Sequence, residues 1–279
     1  MTAKTVNKLA VPGATLHYEV AGSGPPLLLI AGGFADCGVF DGIVGQLAAG
    51  YTVLACDPRG NSRSPFAGEP SDERVDRSAE DALALLDEVA GNEPAYVFGS
   101  SSGAITGLEL ITRHPDRVRM LVAHEPPCVE ILPDAETPRA FFQDVYDTYR
   151  DEGAVAGMRL FAGGTGMDED DAPAPEDLRP EFRDAMERMN ANSEVFFQHK
   201  LLPFTRYRPD LLALELVAHK IVPAAGVASA AHLPAQPIAV IAEEVGWPVV
   251  SFPGGHDGYA SHPVQFATLL AQVLEAELS

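Results

Sequence analysis

An α/β fold, a mostly parallel twisted sheet flanked by helices with a helical block inserted, is predicted by three observations in this 279-residue chain. Short apolar runs stopped by glycine or charge recur, as in PPLLLIAGG (25–33) and YTVLACDPRG (51–60); such runs read as strands buried on both faces. Helical periodicity alternates with them, which calls for crossover helices between parallel strands. From 126 to 215 the strand runs stop and helical patterns take over, after which the alternation resumes.

The elements follow in order. ATLHYEVAGSG (14–24) alternates apolar and polar residues and ends in glycine and serine before Pro25, the pattern of an antiparallel edge strand running into a turn. Buried strands follow at 25–33 and 51–60. DRSAEDALALLDEVAG (76–91) places Ala82, Leu85, Leu86 and Val89 on one helical face and stops at glycine. Strand AYVFG (95–99), helix AITGLELITRHP (104–115) and strand VRMLVAHE (118–125) continue the alternation. The inserted block contains AFFQDVYDTYRDEG and PEFRDAMERMNANSEVFFQHKLL as helices, separated by the acidic, proline-rich loop GMDEDDAPAPEDL. Strand KIVPAAGVAS (220–229), a helix at AQPIAVIAEEVG, strand WPVVSFPGG (247–255) and a final helix (263–278) complete the chain. The domains read as a core of 1–125 with 216–279, and an insert of 126–215.

Composition excludes several function classes. The net charge of −21 opposes binding to nucleic acid or anionic membrane, so neither is an expected partner. No apolar run is long enough to span a bilayer, and the N-terminus lacks the apolar centre of a secretory signal, so a cytoplasmic location is expected. The three cysteines, Cys37, Cys56 and Cys128, are widely spaced; they read as buried apolar residues, neither a disulfide frame nor a zinc motif. No metal and no cofactor is expected.

One stretch carries chemistry. Gly99-Ser100-Ser101-Ser102-Gly103 fits G-x-S-x-G with Ser101 central, directly after a strand and directly before a helix. A serine there sits on a sharp turn at the carboxyl edge of the sheet, where sites in open α/β sheets form. A serine hydroxyl needs a base. Of the eight histidines, His256 alone lies in a glycine-rich loop after a late strand at that same edge. His17 falls on an edge strand, and His114 and His199 fall in helical patterns read as surface. The backbone N–H of Ser102 faces a developing oxyanion.

The elbow GSSSGA, the turn IAGGF, the segment DPRGNSRS and the loop PGGHDGY together resemble the α/β-hydrolase superfamily of the capped serine-hydrolase type. The resemblance covers nearly the whole chain and makes 126–215 the cap. It implies a second oxyanion donor from Ala31-Gly32-Gly33-Phe34, assigned to Gly33, with Phe34 in the family's proline position and lining the pocket. It also implies an acid after the seventh strand, but residues 221–242 hold no carboxylate, and Ala228 stands near the usual place. Some relatives carry the acid after the sixth strand, where Glu125 stands. Glu125 therefore reads as the triad acid, a structural carboxylate or a substrate contact. Asp257 is a weaker choice because its side chain should diverge from the ring of His256. Asp57 reads as fixing its own turn with Arg59.

The insert is rich in aromatic residues, and Phe142 and Phe197 with Phe34 are expected to bind substrate. The expected activity is hydrolysis of a carboxylic ester, thioester or lactone in a modest-sized apolar or aromatic small molecule. Carbon–carbon bond hydrolysis and perhydrolysis use the same serine. A ligand-binding protein, a weakened enzyme and a cyclase stand as alternatives, and a homo-oligomer stays open.

Overall fold

The computed structural model describes residues 3–167 and 180–276; most of the acidic loop lies outside them. An eight-stranded sheet runs in the order β1-β2-β4-β3-β5-β6-β7-β8. Its strands are β1 (Lys4–Val11), β2 (Ala14–Ala21), β3 (Pro26–Ile30), β4 (Thr52–Cys56), β5 (Ala95–Ser100), β6 (Val118–His124), β7 (Ile221–Gly226) and β8 (Val250–Phe252). β1 and β2 pair antiparallel, as do β2 and β4; every later pairing is parallel.

Alternation along the buried strands divides the core into two layers, because successive side chains point to opposite faces. Leu28, Ile30, Leu54, Cys56 and Val97 pack against α2 (Val75–Ala90), α3 (Ser102–Arg113) and α9 (Gln236–Val245). Leu27, Leu29, Val53, Ala55, Tyr96 and Phe98 pack against α1 (Asp41–Leu47) and α11 (Pro263–Glu275), with the short α10 (Gly258–Ser261) beside them. Between β6 and β7 lie α4 (Glu136–Glu152), α5 (Ala154–Thr165), α6 (Pro180–Val195), a single π-helical turn Phe196–Lys200, α7 (Leu201–Thr205) and α8 (Leu211–Leu216). This helical insertion has a small core of its own around Phe142, Val145, Tyr149 and Phe197.

Three expectations change. Ala14–Ala21 is not the edge; β1, which its polar N-terminal sequence concealed, covers it over eight paired positions. Asp57 fixes its turn through Arg63 (Nε to Oδ2, 2.8 Å) and the Cys37 amide (3.1 Å), whereas Arg59 pairs with Asp81. His199 is buried, not superficial. All three cysteines are buried and unpaired. Among the described residues no helix is long and apolar enough to cross a membrane.

Candidate active site

β5 ends at Ser100 and α3 begins at Ser102, so Ser101 occupies the corner between them with φ 57° and ψ −126°. That conformation is costly for a residue with a Cβ and persists only where the surroundings over-determine it. Here the Ser101 amide donates to the His124 carbonyl (2.8 Å), and α3 packs so close to β3 that a Cβ on Gly103 would lie 2.1 Å from the Ile30 carbonyl oxygen. Only three non-glycine residues among those described have positive φ: Ser62, Ser101 and Glu125. All three lie in loops at the carboxyl ends of strands.

Glu125 follows β6 directly. Its amide donates to the Ala224 carbonyl of β7 (3.0 Å), and its φ of 48° turns the side chain along the sheet edge. The carboxylate is fully buried and satisfied on both oxygens. Oε1 accepts from the Gly226 amide (2.7 Å) and from the Ser229 hydroxyl, and Oε2 lies 2.6 Å from Nδ1 of His256. Burial alone would raise its pKa. The hydrogen bond and charge of His256, aided by Ser229, outweigh burial and hold it at about 2. Glu125 is thus an anion at neutral pH, and it fixes His256 with Nδ1 as the protonated nitrogen. Ser229 stands one residue past Ala228, in the stretch without a carboxylate, and contributes a donor to the acid's support.

Ser101 and His256 line one cavity of about 500 Å³. Its walls are mostly apolar: Phe34 and Val39 from the core, and Phe142, Phe161, Phe196, Met167, Met186 and Met189 from the insertion. Phe34 meets Phe196 edge-to-face, with centroids 5.5 Å apart. Phe197, expected in this wall, is not on it. Its ring stacks on Tyr149 at 5.2 Å and belongs to the insertion's own core. Adjacent residues on a helix face different ways, and the aromatic pair Phe196-Phe197 gave no sign of which one faces the cavity.

The two other serines of the run are engaged elsewhere. Ser100 Oγ is 3.2 Å from Nδ1 of His124, a fully buried histidine whose ring lies 6.3 Å from that of His256. Burial lowers the His124 pKa to about 4, so the ring is neutral at pH 7. Ser102 Oγ accepts from the Gly33 amide (2.7 Å). That bond corrects the expected role of Gly33, whose N–H is directed at the Ser102 side chain. The next amide of the turn, Phe34, donates no hydrogen bond among the described residues. The turn abuts the elbow: a Cβ on Gly32 would lie 2.6 Å from the Cβ of Ser101.

Sequence reasoning missed the polar residues behind this turn. Asn61, fully buried, donates through Nδ2 to the carbonyls of Gly33 (3.1 Å) and Ala35 (2.8 Å). Its Oδ1 accepts from Lys200 (2.7 Å), which also donates to the Arg59 carbonyl (2.7 Å). Asn192 of α6 donates to the Phe34 carbonyl (2.8 Å) and accepts from the Ser62 amide (2.7 Å); Arg188, one turn earlier, pairs with Asp36 (2.6 Å). The sequence carried no signal for these contacts beyond the polar segment DPRGNSRS. For a metal, His17, Glu19 and Cys37 bring ligand atoms within 4.8 Å, but Arg63 bonds both Glu19 and Cys37 and Lys4 also holds Glu19.

Comparison with known proteins agrees with this architecture. The α/β hydrolase fold family matches residues 25–164. An uncharacterized hydrolase of Bacillus subtilis, YraK, is 37% identical over 281 residues, covering 98% of each chain. A zearalenone hydrolase of Cladophialophora bantiana is 30% identical over 95% of this chain and 94% of its own. Among solved structures, an esterase of Thermogutta terrifontis superposes with a TM-score of 0.75 at 18% identity, each chain covered fully. The enol-lactonase of Burkholderia xenovorans gives 0.67 at 21% identity, over 96% of this chain and 100% of that one. The strained serine elbow, the order of the strands and these matches lead to one assignment: the chain belongs to the α/β hydrolase fold family.

Proposed function

We propose that the protein is a serine hydrolase of carboxylic ester, thioester or lactone bonds in a modest-sized apolar or aromatic small molecule. The observation that carries this reading is Glu125: a buried carboxylate 2.6 Å from Nδ1 of His256, with its other oxygen tied down, beside a cavity that Ser101 also lines. An acid in that position keeps the proton of the imidazole on Nδ1 and leaves Nε2 as the base. The likeness to a zearalenone hydrolase over 95% of this chain supports hydrolytic chemistry.

The reaction runs in two halves. Ser101 Oγ attacks the carbonyl carbon while His256 Nε2 takes its proton, and the carbonyl π pair moves onto oxygen. The amide of Ser102, at the start of α3, and that of Phe34 stabilise the oxyanion. The C–O or C–S bond breaks as His256 returns the proton to the leaving group, giving an acyl-serine. Water then attacks with His256 again as base, and the acid product and free serine separate. The inserted helices act as the cap: their phenylalanines and methionines exclude water and shape the acyl or alcohol pocket. Three methionines on one wall give a surface that adapts to substrates of varied outline. The alternative of a binding protein or weakened enzyme drew on an acid missing after β7, and the contact of Glu125 with His256 weighs against it.

A fluorophosphonate probe tests the proposal. Wild-type protein is expected to label stoichiometrically on the peptide containing Ser101, and Ser101→Ala to label not at all. Absence of labelling in the wild type, or equal labelling in the variant, refutes it.

A further inference from the structure

The turn that follows β3 is held from behind by side-chain amides on three successive carbonyls. Asn61 holds those of Gly33 and Ala35, and Asn192 holds that of Phe34 between them. Across a trans peptide the C=O and N–H point in opposite directions, and no peptide among the described residues is cis. The bond from Asn61 to the Gly33 carbonyl therefore aims the Phe34 N–H the other way, away from Asn61.

The orientation of Asn61 is itself determined. A lysine ammonium has donors only, so the atom facing Lys200 at 2.7 Å is the amide oxygen, and the NH₂ group must face the two carbonyls. Lys200 is buried and lies in the π-helical turn whose first residue, Phe196, packs against the Phe34 ring in the cavity wall. One turn of the insertion thus touches both the ring and, through Asn61, the backbone of Phe34. Ser62, next to Asn61, is held at φ 46° by Asn192, so the backbone beneath Asn61 is also constrained from the insertion.

We propose that Asn61 is a positioning residue for oxyanion stabilisation, gripping the Gly33 carbonyl so that the Phe34 N–H faces the reacting carbonyl, with Lys200 securing Asn61 to the inserted helices. The inference rests on the reading of Ser101 as nucleophile. It makes the second oxyanion donor depend on the seating of the insertion: when Lys200 withdraws, the Asn61 amide loses its buried partner and the turn loses its brace.

The test uses Asn61→Asp, which keeps size and the acceptor facing Lys200 but sets oxygen against the two carbonyls, together with Asn61→Ala. Reactive sites are counted by fluorophosphonate titration carried to completion, so that unfolded protein is excluded. Kinetics on an activated ester and inhibition by phenylboronic acid, whose tetrahedral adduct places an oxygen in the hole, are then measured. Removing one oxyanion donor outright costs about 10²–10³ in kcat; disordering one is expected to cost about 10–10² per active site. KM should stay within about twofold, and the boronate inhibition constant should rise by the same factor as kcat falls. In wild-type protein carrying ¹⁵N-phenylalanine, the Phe34 amide resonance should shift on adding phenylboronic acid. An unchanged kcat and boronate affinity in a reactive variant overturns the inference, as does a rise in KM alone. A silent Phe34 resonance in boronate-bound wild type overturns it even where both variants fail to fold. A wild type that neither labels nor hydrolyses esters overturns the nucleophile reading and this inference with it.

Discussion

Replacing Glu125 with glutamine preserves shape and removes charge, and the hydrogen bonds around the carboxylate dictate the outcome. Oε1 accepts from the Gly226 amide at 2.7 Å, a backbone donor that cannot reverse, so the glutamine oxygen must take that position. Its NH₂ group is then forced into the place of Oε2, 2.6 Å from His256 Nδ1. Two N–H groups cannot face each other at that distance. The imidazole must therefore give up the proton on Nδ1 and carry it on Nε2, where it can no longer accept from the serine. A triad locked in the wrong tautomer loses about 10⁴ in turnover, which corresponds to ~5 kcal/mol of barrier. The assay is kcat on an activated ester with sites counted by fluorophosphonate titration and KM measured alongside. KM should change little, because the cavity wall is untouched. A Glu125→Gln enzyme within tenfold of wild-type kcat would refute the reasoning and return Glu125 to a structural role.

Two further outcomes follow from the same contacts. Glu125 has a pKa held near 2 in the folded protein against an ordinary 4.5. A depressed carboxyl pKa stabilises the fold fully above 4.5 and loses that contribution as pH falls through 2, by about 3 kcal/mol. Urea midpoints of wild type and Glu125→Gln should therefore converge between pH 6 and pH 2, and a constant gap would contradict the assignment. Gly103→Ala would place a methyl 2.1 Å from a backbone oxygen of β3, which no rotamer relieves. Overpacking of this kind costs about 1–3 kcal/mol, so the melting temperature should drop by several degrees, and an unchanged value would mean that the elbow has slack.

Much of the fold was legible because its signals are local. Buried parallel strands are continuous apolar runs, and helices carry their own period. The serine elbow announces itself by glycines at fixed offsets between a strand and a helix. β1 escaped because its outer face is solvated, so KTVNKLAV carries no apolar run. The candidate site was legible where it depended on one segment: Ser101 at the elbow and His256 in its loop after β8 line one cavity.

Other features depend on which segments the fold brings side by side. Nothing in HEPPC says that Glu125 reaches His256; the pairing of β6 with β7, and the positive φ this edge imposes on Glu125, decide it. Whether Gly33 or Phe34 presents its amide turns on a hydrogen bond to Ser102 from a distant strand end. Whether Phe196 or Phe197 faces the cavity turns on how the inserted helices pack. The sequence by itself determined the α/β architecture and singled out Ser101 and His256 as candidates, because each is encoded by spacing within a few residues. Only the tertiary structure decided which carboxylate lies against His256, which amide of the turn bonds Ser102 and which side chains line the cavity, because those are set by contacts between residues a hundred or more positions apart or by the one-residue rotation of a turn.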